Sequence, residues 1–149
     1  MKNHYYLFYY INLIFYFMNR EQFIEIIKQE IENESLLNID KDYITKNYKT
    51  AKGGIYFLYN DNDVVIYVGK VGNGKHTSFY KRMYGHGNSA HCNKPWFNQA
   101  KKFRFKKFPN LINEEILKIE RLMIYAKNQP IYNDIIISEK EFMSIVSKI

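Results

Sequence analysis

The sequence predicts an α/β (α+β) fold in which a β-hairpin and one further strand are flanked by helices. Three observations carry this. Two β-rich runs, GIYFLY from Gly54 and the stretch ending Tyr67-Val68-Gly69, flank the turn-forming Asn-Asp-Asn-Asp of Asn60 to Asp63. A third run, Phe103 to Phe108, alternates in its first half and ends at Pro109-Asn110. Apolar residues recur at helical spacing before and after these runs. A chain of 149 residues is large enough for one domain with its own core.

Residues 5 to 18, YYLFYYINLIFYFM, are apolar and aromatic. A membrane-spanning helix needs about 20 such residues, and a signal peptide needs a small-residue cleavage site that Asn19-Arg20-Glu21 does not provide. A core strand and a membrane anchor are further readings. The favoured reading is a translated leader over residues 1–17, with Met18 as the start and no stable membrane association. An amphipathic helix begins directly after Met18, and a chain begun there is expected to fold and remain active. That helix is expected from about Asn19 to Leu37, with Asn19 as N-cap and Phe23, Ile24, Ile27 and Ile31 on its apolar face. Residues 38 to 52 are polar and read as a connector, so residues 18–51 form an N-terminal helix and connector.

Along the hairpin, Ile55, Phe57 and Tyr59 share one face, and Tyr56 and Leu58 the other. Val-Gly-Asn-Gly (Val71 to Gly74) lacks the pattern of a phosphate-binding loop. Thr77 or Ser78 can cap a short helix carrying Arg82, which Gly85 and Gly87 terminate. Arg82 and His86 are four apart and share a side if the last turn holds. Pro95 suits a first helical turn. His76, His86, His91 and Cys92 match no common zinc spacing. The third strand, from Phe103, places its basic residues on an outer side.

The next helix is expected from about Asn113 to Asn128, before Pro130. At 100° per residue, Ile116, Ile119, Met123, Ile124 and Ala126 form its apolar arc, and Glu120 falls inside that arc. A carboxylate facing a core is costly unless it is paired or binds a cation. Two explanations compete: a buried salt bridge to Arg82 or a lysine, and a metal ligand. Ile131-Tyr132-Asn133 then turns back toward the sheet, and Ser138 to Glu141 form a capping box opening a last helix within residues 135–149.

Charge narrows the function class. The net charge is +7 and the pI about 9.3, yet no Asp or Glu occurs from Val64 to Asn113. Ten lysines and arginines fall in that stretch among aromatic residues, a distribution that favours a polyanionic partner, nucleic acid above all. The candidate contacts are Lys75, Lys81, Lys101, Lys102, Arg104, Lys106 and Lys107. A single cysteine, Cys92, leaves no internal disulfide and suits a reducing, cytoplasmic compartment.

Gly54-Ile55-Tyr56 and Tyr67-Val68-Gly69, with ten residues between the tyrosines, resemble the paired motif of the GIY-YIG nucleases. Val68 stands where Ile is usual. An Arg in the following helix, a Glu in the later helix and then an Asn complete the order, so residues 52–134 resemble the whole domain. The spacing from Gly69 to Arg82 is longer than in many members. The resemblance implies a small, mostly antiparallel three-stranded sheet flanked by helices, and one divalent metal supporting hydrolysis of DNA. It implies Tyr56 as base or the base's hydrogen-bond partner, and Tyr67 orienting the attacking water or a phosphate oxygen. Arg82 would hold the scissile phosphate, with His86 where many members carry His or Tyr. Glu120 would hold Mg2+ or Mn2+, Asn133 would brace the site, and Lys70 resembles a lysine that some restriction-type members place near the base.

The chemistry is consistent with those roles. Phosphodiester hydrolysis needs an activated water and charge neutralisation on the phosphate. A phenol with a free pKa of about 10 serves as base only if neighbouring cations lower it, and Lys70 and Arg82 are the expected cations. Magnesium keeps several waters, so one carboxylate suffices. A restriction-like or mobile-element endonuclease is the first expectation. The alternatives are a catalytically silent nucleic-acid-binding module and a repair nuclease working with a partner. Restriction-like cutting of both strands would call for a homodimer.

Overall fold

In the computed structural model, which describes residues 20–148, five α-helices surround a four-stranded antiparallel sheet. The readings of residues 1–17 and of the Asn19 cap lie outside the described residues. Helix α1 (Arg20–Glu32) is followed by a two-residue strand, β1 (Leu37–Asn38), and by helix α2 (Lys41–Tyr48). The hairpin strands are β2 (Gly54–Tyr59) and β3 (Val65–Val71). Helix α3 (Phe79–Tyr84), two 3₁₀ turns (His91–Asn93 and Phe97–Gln99) and β4 (Lys102–Lys107) come next. Helices α4 (Asn113–Ala126) and α5 (Glu139–Ser147) close the described chain. None of these helices is long and apolar enough to cross a membrane.

The sheet order is β1-β4-β2-β3, which corrects the expected three strands to four. Leu37 and Asn38 pair with Phe103 and Lys102, so the fourth strand lies in the segment read as helix end and connector. The connector also holds α2. Asp40 accepts a hydrogen bond from the Tyr43 N–H at 2.7 Å and caps it, while Ile44 is fully buried.

The hairpin forms where the sequence places it. The Asn60 side chain accepts from the N–H groups of Asn62 and Val64, and Asp63 takes the left-handed conformation at φ 58°. Strict alternation on β2 divides the core in two. Ile55, Phe57 and Tyr59 pack with Val68 against α1, α4 and α5. Tyr56 and Leu58 pack with Phe103, Phe105, Ile44, Phe79 and Met83 against α2 and α3. All six residues of β2 are buried, as befits a strand flanked on both edges and covered on both faces.

Two glycines are demanded by close approach. A Cβ on Gly54 would lie 2.2 Å from the Lys106 carbonyl oxygen of β4. Gly69 stands directly across from Tyr56, and a Cβ there would lie 2.3 Å from the phenol ring. The ring therefore takes up the space that Gly69 leaves. The register then slips after Leu58, so that Leu58 faces Tyr67 and Tyr59 faces Val65. Ile66 is the extra residue of this bulge.

Strand β4 departs from expectation on one face. Its Phe103 and Phe105 enter the core, but Arg104 and Lys106 do not face an open outer side. They lie beneath α1. Lys106 pairs with Glu30 and Glu34, and Arg104 donates to the Glu34 carbonyl and the Tyr59 hydroxyl. Glu32 of α1 is likewise bonded to Lys127. The acids of α1 and of the turn after it thus neutralise lysines that look free in the linear sequence.

Gly69→Ala should force the Tyr56 ring out of place, at a cost of roughly 1–3 kcal/mol. A denaturant titration of this variant against wild type, read by near-ultraviolet circular dichroism, measures the loss.

Candidate active site at the edge of the hairpin

The outer edge of β3 gathers the motif residues. Tyr56 and Tyr67 present their rings on the α3 side of the sheet, stacked with centroids 6.2 Å apart and planes 25° apart. Ser78 caps α3 by accepting from the Lys81 N–H at 3.1 Å, and this short helix carries Arg82 to the two phenols. The charge of Arg82 is held above its ordinary range, mainly by Tyr56 beside it. Its Nε is buried with no partner among the described residues.

From the other layer, α4 brings Glu120 to the same edge. Glu120 is 8% exposed, as its place in the apolar arc requires. Burial pushes its carboxyl above the usual range, and Lys70, Arg82 and Arg121 oppose that shift from nearby. None of the ion pairs among the described residues includes Glu120. Arg121 is committed to Glu141 of α5.

Asn133 clasps β3 from outside. Its side-chain oxygen accepts from the Val68 N–H at 2.9 Å, and its side-chain amide donates to the Val68 carbonyl at 2.8 Å. One residue earlier, the Tyr132 N–H donates to the carbonyl of the bulged Ile66 at 3.1 Å. The segment after Pro130 thus satisfies an edge that would otherwise be unpaired, between the two residues, Tyr67 and Gly69, that shape the site.

Two expectations change. Gly85 has extended backbone (ψ −175°) and ends α3 at Tyr84, so the last turn does not carry His86 to the side of Arg82. His86 is exposed. The histidine beside Tyr56 is His91, from the first 3₁₀ turn, whose Nε2 lies 2.6 Å from the Tyr56 hydroxyl. His91 is buried at 2% exposure, packs edge-on against Tyr67 at 4.7 Å, and leaves its Nδ1 without a partner among the described residues. The sequence offered only an isolated histidine near Pro95, with no spacing signal linking it to Tyr56.

The second change concerns acidity. Tyr56 is fully buried, and burial raises its phenol far above the ordinary value, while Arg82 opposes this only in part. The expectation that Lys70 and Arg82 lower it is reversed, because desolvation of a phenolate outweighs a partly buried cation. Burial also raises Tyr67. His91 is pushed down to about 3, first by burial and then by Arg82 and Lys94. At neutral pH, Tyr56 and His91 form a neutral hydrogen-bonded pair.

The candidate nucleic-acid contacts divide by environment. Lys75, Lys101 and Lys107 are exposed and enter none of the ion pairs among the described residues. Lys81 is also exposed, with its ammonium on the His76 carbonyl at 3.0 Å. Lys102 pairs with Asp63, Lys106 with Glu30 of α1 and with Glu34, and Arg104 is bonded to the Glu34 carbonyl.

No family model, curated protein or solved structure matches the chain.

The low folded-state pKa of His91 has a definite sign in solution. Below about pH 6.5 the unfolded chain takes up a proton that the folded chain refuses until about pH 3. Stability should fall with acidification by about 1.4 kcal/mol per pH unit from this group. Urea midpoints between pH 7 and pH 4 should show that slope in wild type and lose it in His91→Gln.

Proposed function

We propose that the protein is a DNA endonuclease of the GIY-YIG type, hydrolysing a phosphodiester with the help of a divalent metal. The observation that carries the proposal is Glu120: a buried carboxylate beside Tyr67, Lys70 and Arg82, in none of the described ion pairs. A structural salt bridge would account for its burial, but the hydrogen bond that Lys70 gives it comes from the backbone, and none of the described ion pairs joins it to Lys70 or Arg82. The donor set suits Mg2+ or Mn2+, since one carboxylate oxygen with waters and a phosphate oxygen is an ordinary environment for either. Such an ion, when bound, supplies charge neutralisation at the phosphate and the leaving oxygen.

The chain's own residues supply the rest. Arg82 would hold the scissile phosphate, and its unpartnered Nε is a donor awaiting an oxygen. Tyr67, half-buried at the edge, would orient the attacking water or a phosphate oxygen. Tyr56 fits the second of its two expected roles, a hydrogen-bond partner in the base system, because it keeps its proton at neutral pH. His91, with its Nε2 2.6 Å from the Tyr56 hydroxyl, is the group that orients it. Asn133 fixes the β3 backbone between Tyr67 and Gly69. One such site cuts one strand, so cutting both calls for two copies.

Complete burial of Tyr56 favours a second reading, a nucleic-acid-binding module without catalysis. Plasmid nicking with and without Mg2+ separates the two.

Glu120→Gln should fold, melt no earlier than wild type near pH 7, and still bind DNA. Its carboxyl is raised by burial, so removing the charge relieves a cost that grows as pH rises through its range. Nicking should fall by orders of magnitude and resist recovery at high Mg2+. A variant that melts far earlier, by the roughly 3–5 kcal/mol of a broken buried pair, yet still cuts would refute the metal role.

Tyr56→Phe should lose about 10²–10⁴-fold in nicking rate while its affinity for DNA stays near that of wild type. An unchanged rate would remove Tyr56 from the reaction.

A further inference from the structure

The site's aromatic residues continue beyond Tyr56 and Tyr67 in a column that the reaction does not require. Tyr67 stacks on Trp96 at 5.3 Å and 23°, and Trp96 stacks on Tyr132 at 5.1 Å and 8°. Four rings therefore run in file from the buried phenol of Tyr56 to the half-exposed Tyr132. Tyr132 closes the file: its only ring partner among the described residues is Trp96.

This last ring is held in place from two sides. Its hydroxyl donates to Gln99 Oε1 at 2.6 Å, and its backbone N–H donates to Ile66 of β3. A core aromatic needs no such orientation at the surface, and an immobile half-exposed ring loses little freedom when something stacks on it. The segment carrying Trp96 and Gln99 also carries Lys94 and Lys101, neither in an ion pair among the described residues. Lys94 is close enough to act on His91. A flat ring at the end of a rigid stack, on whose supporting segment two lysines stand outside the described ion pairs, matches the combination that binds single-stranded nucleic acid through base stacking and backbone charge.

We infer that Tyr132 is a stacking platform for one unpaired DNA base next to the phosphate held by Arg82. This rests on the endonuclease reading and adds to it a preference for DNA with an unpaired base at the cleavage position, a flap, bubble or single-stranded end. Gln99 is a positioning residue, acting only through the Tyr132 hydroxyl.

The test uses fluorescein-labelled oligothymidylate and an oligomer of equal length and charge built from abasic residues, with binding followed by anisotropy in EDTA. Wild type should bind the base-bearing oligomer roughly 5- to 100-fold more tightly than the abasic one. Tyr132→Ala should abolish that advantage while binding the abasic oligomer as wild type does, which also shows that the variant is folded. Tyr132→Phe, retaining the ring, should keep most of it. Equal wild-type affinity for the two oligomers overturns the platform, as does an advantage that survives in Tyr132→Ala. Plasmid nicking on the same wild-type sample separates the two levels. Nicking without a base advantage removes the platform alone. Absence of both nicking and DNA binding removes the endonuclease reading and the platform with it.

Discussion

The ring of Tyr56 lies across Gly69, and most of the site depends on that contact. Any side chain at position 69 would collide with the phenol, so the two strands meet here through a ring on one and a bare backbone on the other. The arrangement buries Tyr56 completely, aims its hydroxyl at His91 and leaves Tyr67 to stack alongside. The acid–base properties follow from the same burial. Tyr56 is held neutral, His91 is held neutral, and Arg82 is left as the charged group facing both phenols. Tyr56 and Gly69 are thus a packing pair first, and any chemistry at the hydroxyl is constrained by it.

Much of this was legible in the sequence, where a periodic pattern meets a buried face. The hairpin, the two faces of β2 and the burial of Glu120 all followed from periods of two and 3.6 residues. What stayed hidden lacks such a pattern. Helix α2 buries only Ile44, so its polar residues looked like a connector, and β1 is too short to alternate. His91 reaches Tyr56 by way of a loop and a single 3₁₀ turn, a path that spacing along the chain does not encode. The cap at Gly85 was visible as a glycine, but whether the helix gained one more turn decided the direction of His86, and the extended backbone stops it short.

Charge was legible as a total and misleading as a map. The acid-free stretch from Val64 to Asn113 is real in sequence, yet part of its positive charge is used internally. Glu30 of α1 and Glu34 just after it lie over Lys106, and Asp63 in the hairpin turn holds Lys102. These bases pair with acids from outside the stretch, which a linear count cannot register. Surface pairs of this kind contribute little stability, but they set which side of the sheet carries an uncompensated field.

The clasp of Asn133 on Val68 has a consequence for how the molecule behaves among copies of itself. Strand β3 is the last in the sheet, and a bare last strand is a template on which a neighbouring chain can lay down its own backbone. The amide of Asn133 occupies both hydrogen-bonding groups of Val68, and Tyr132 occupies the carbonyl of Ile66. An incoming strand would have to displace a folded segment before making its first bond there. A chain rich in tyrosine, phenylalanine and isoleucine is the kind that forms fibrils through open edges, and this edge is shut against that growth where the aromatic residues are densest.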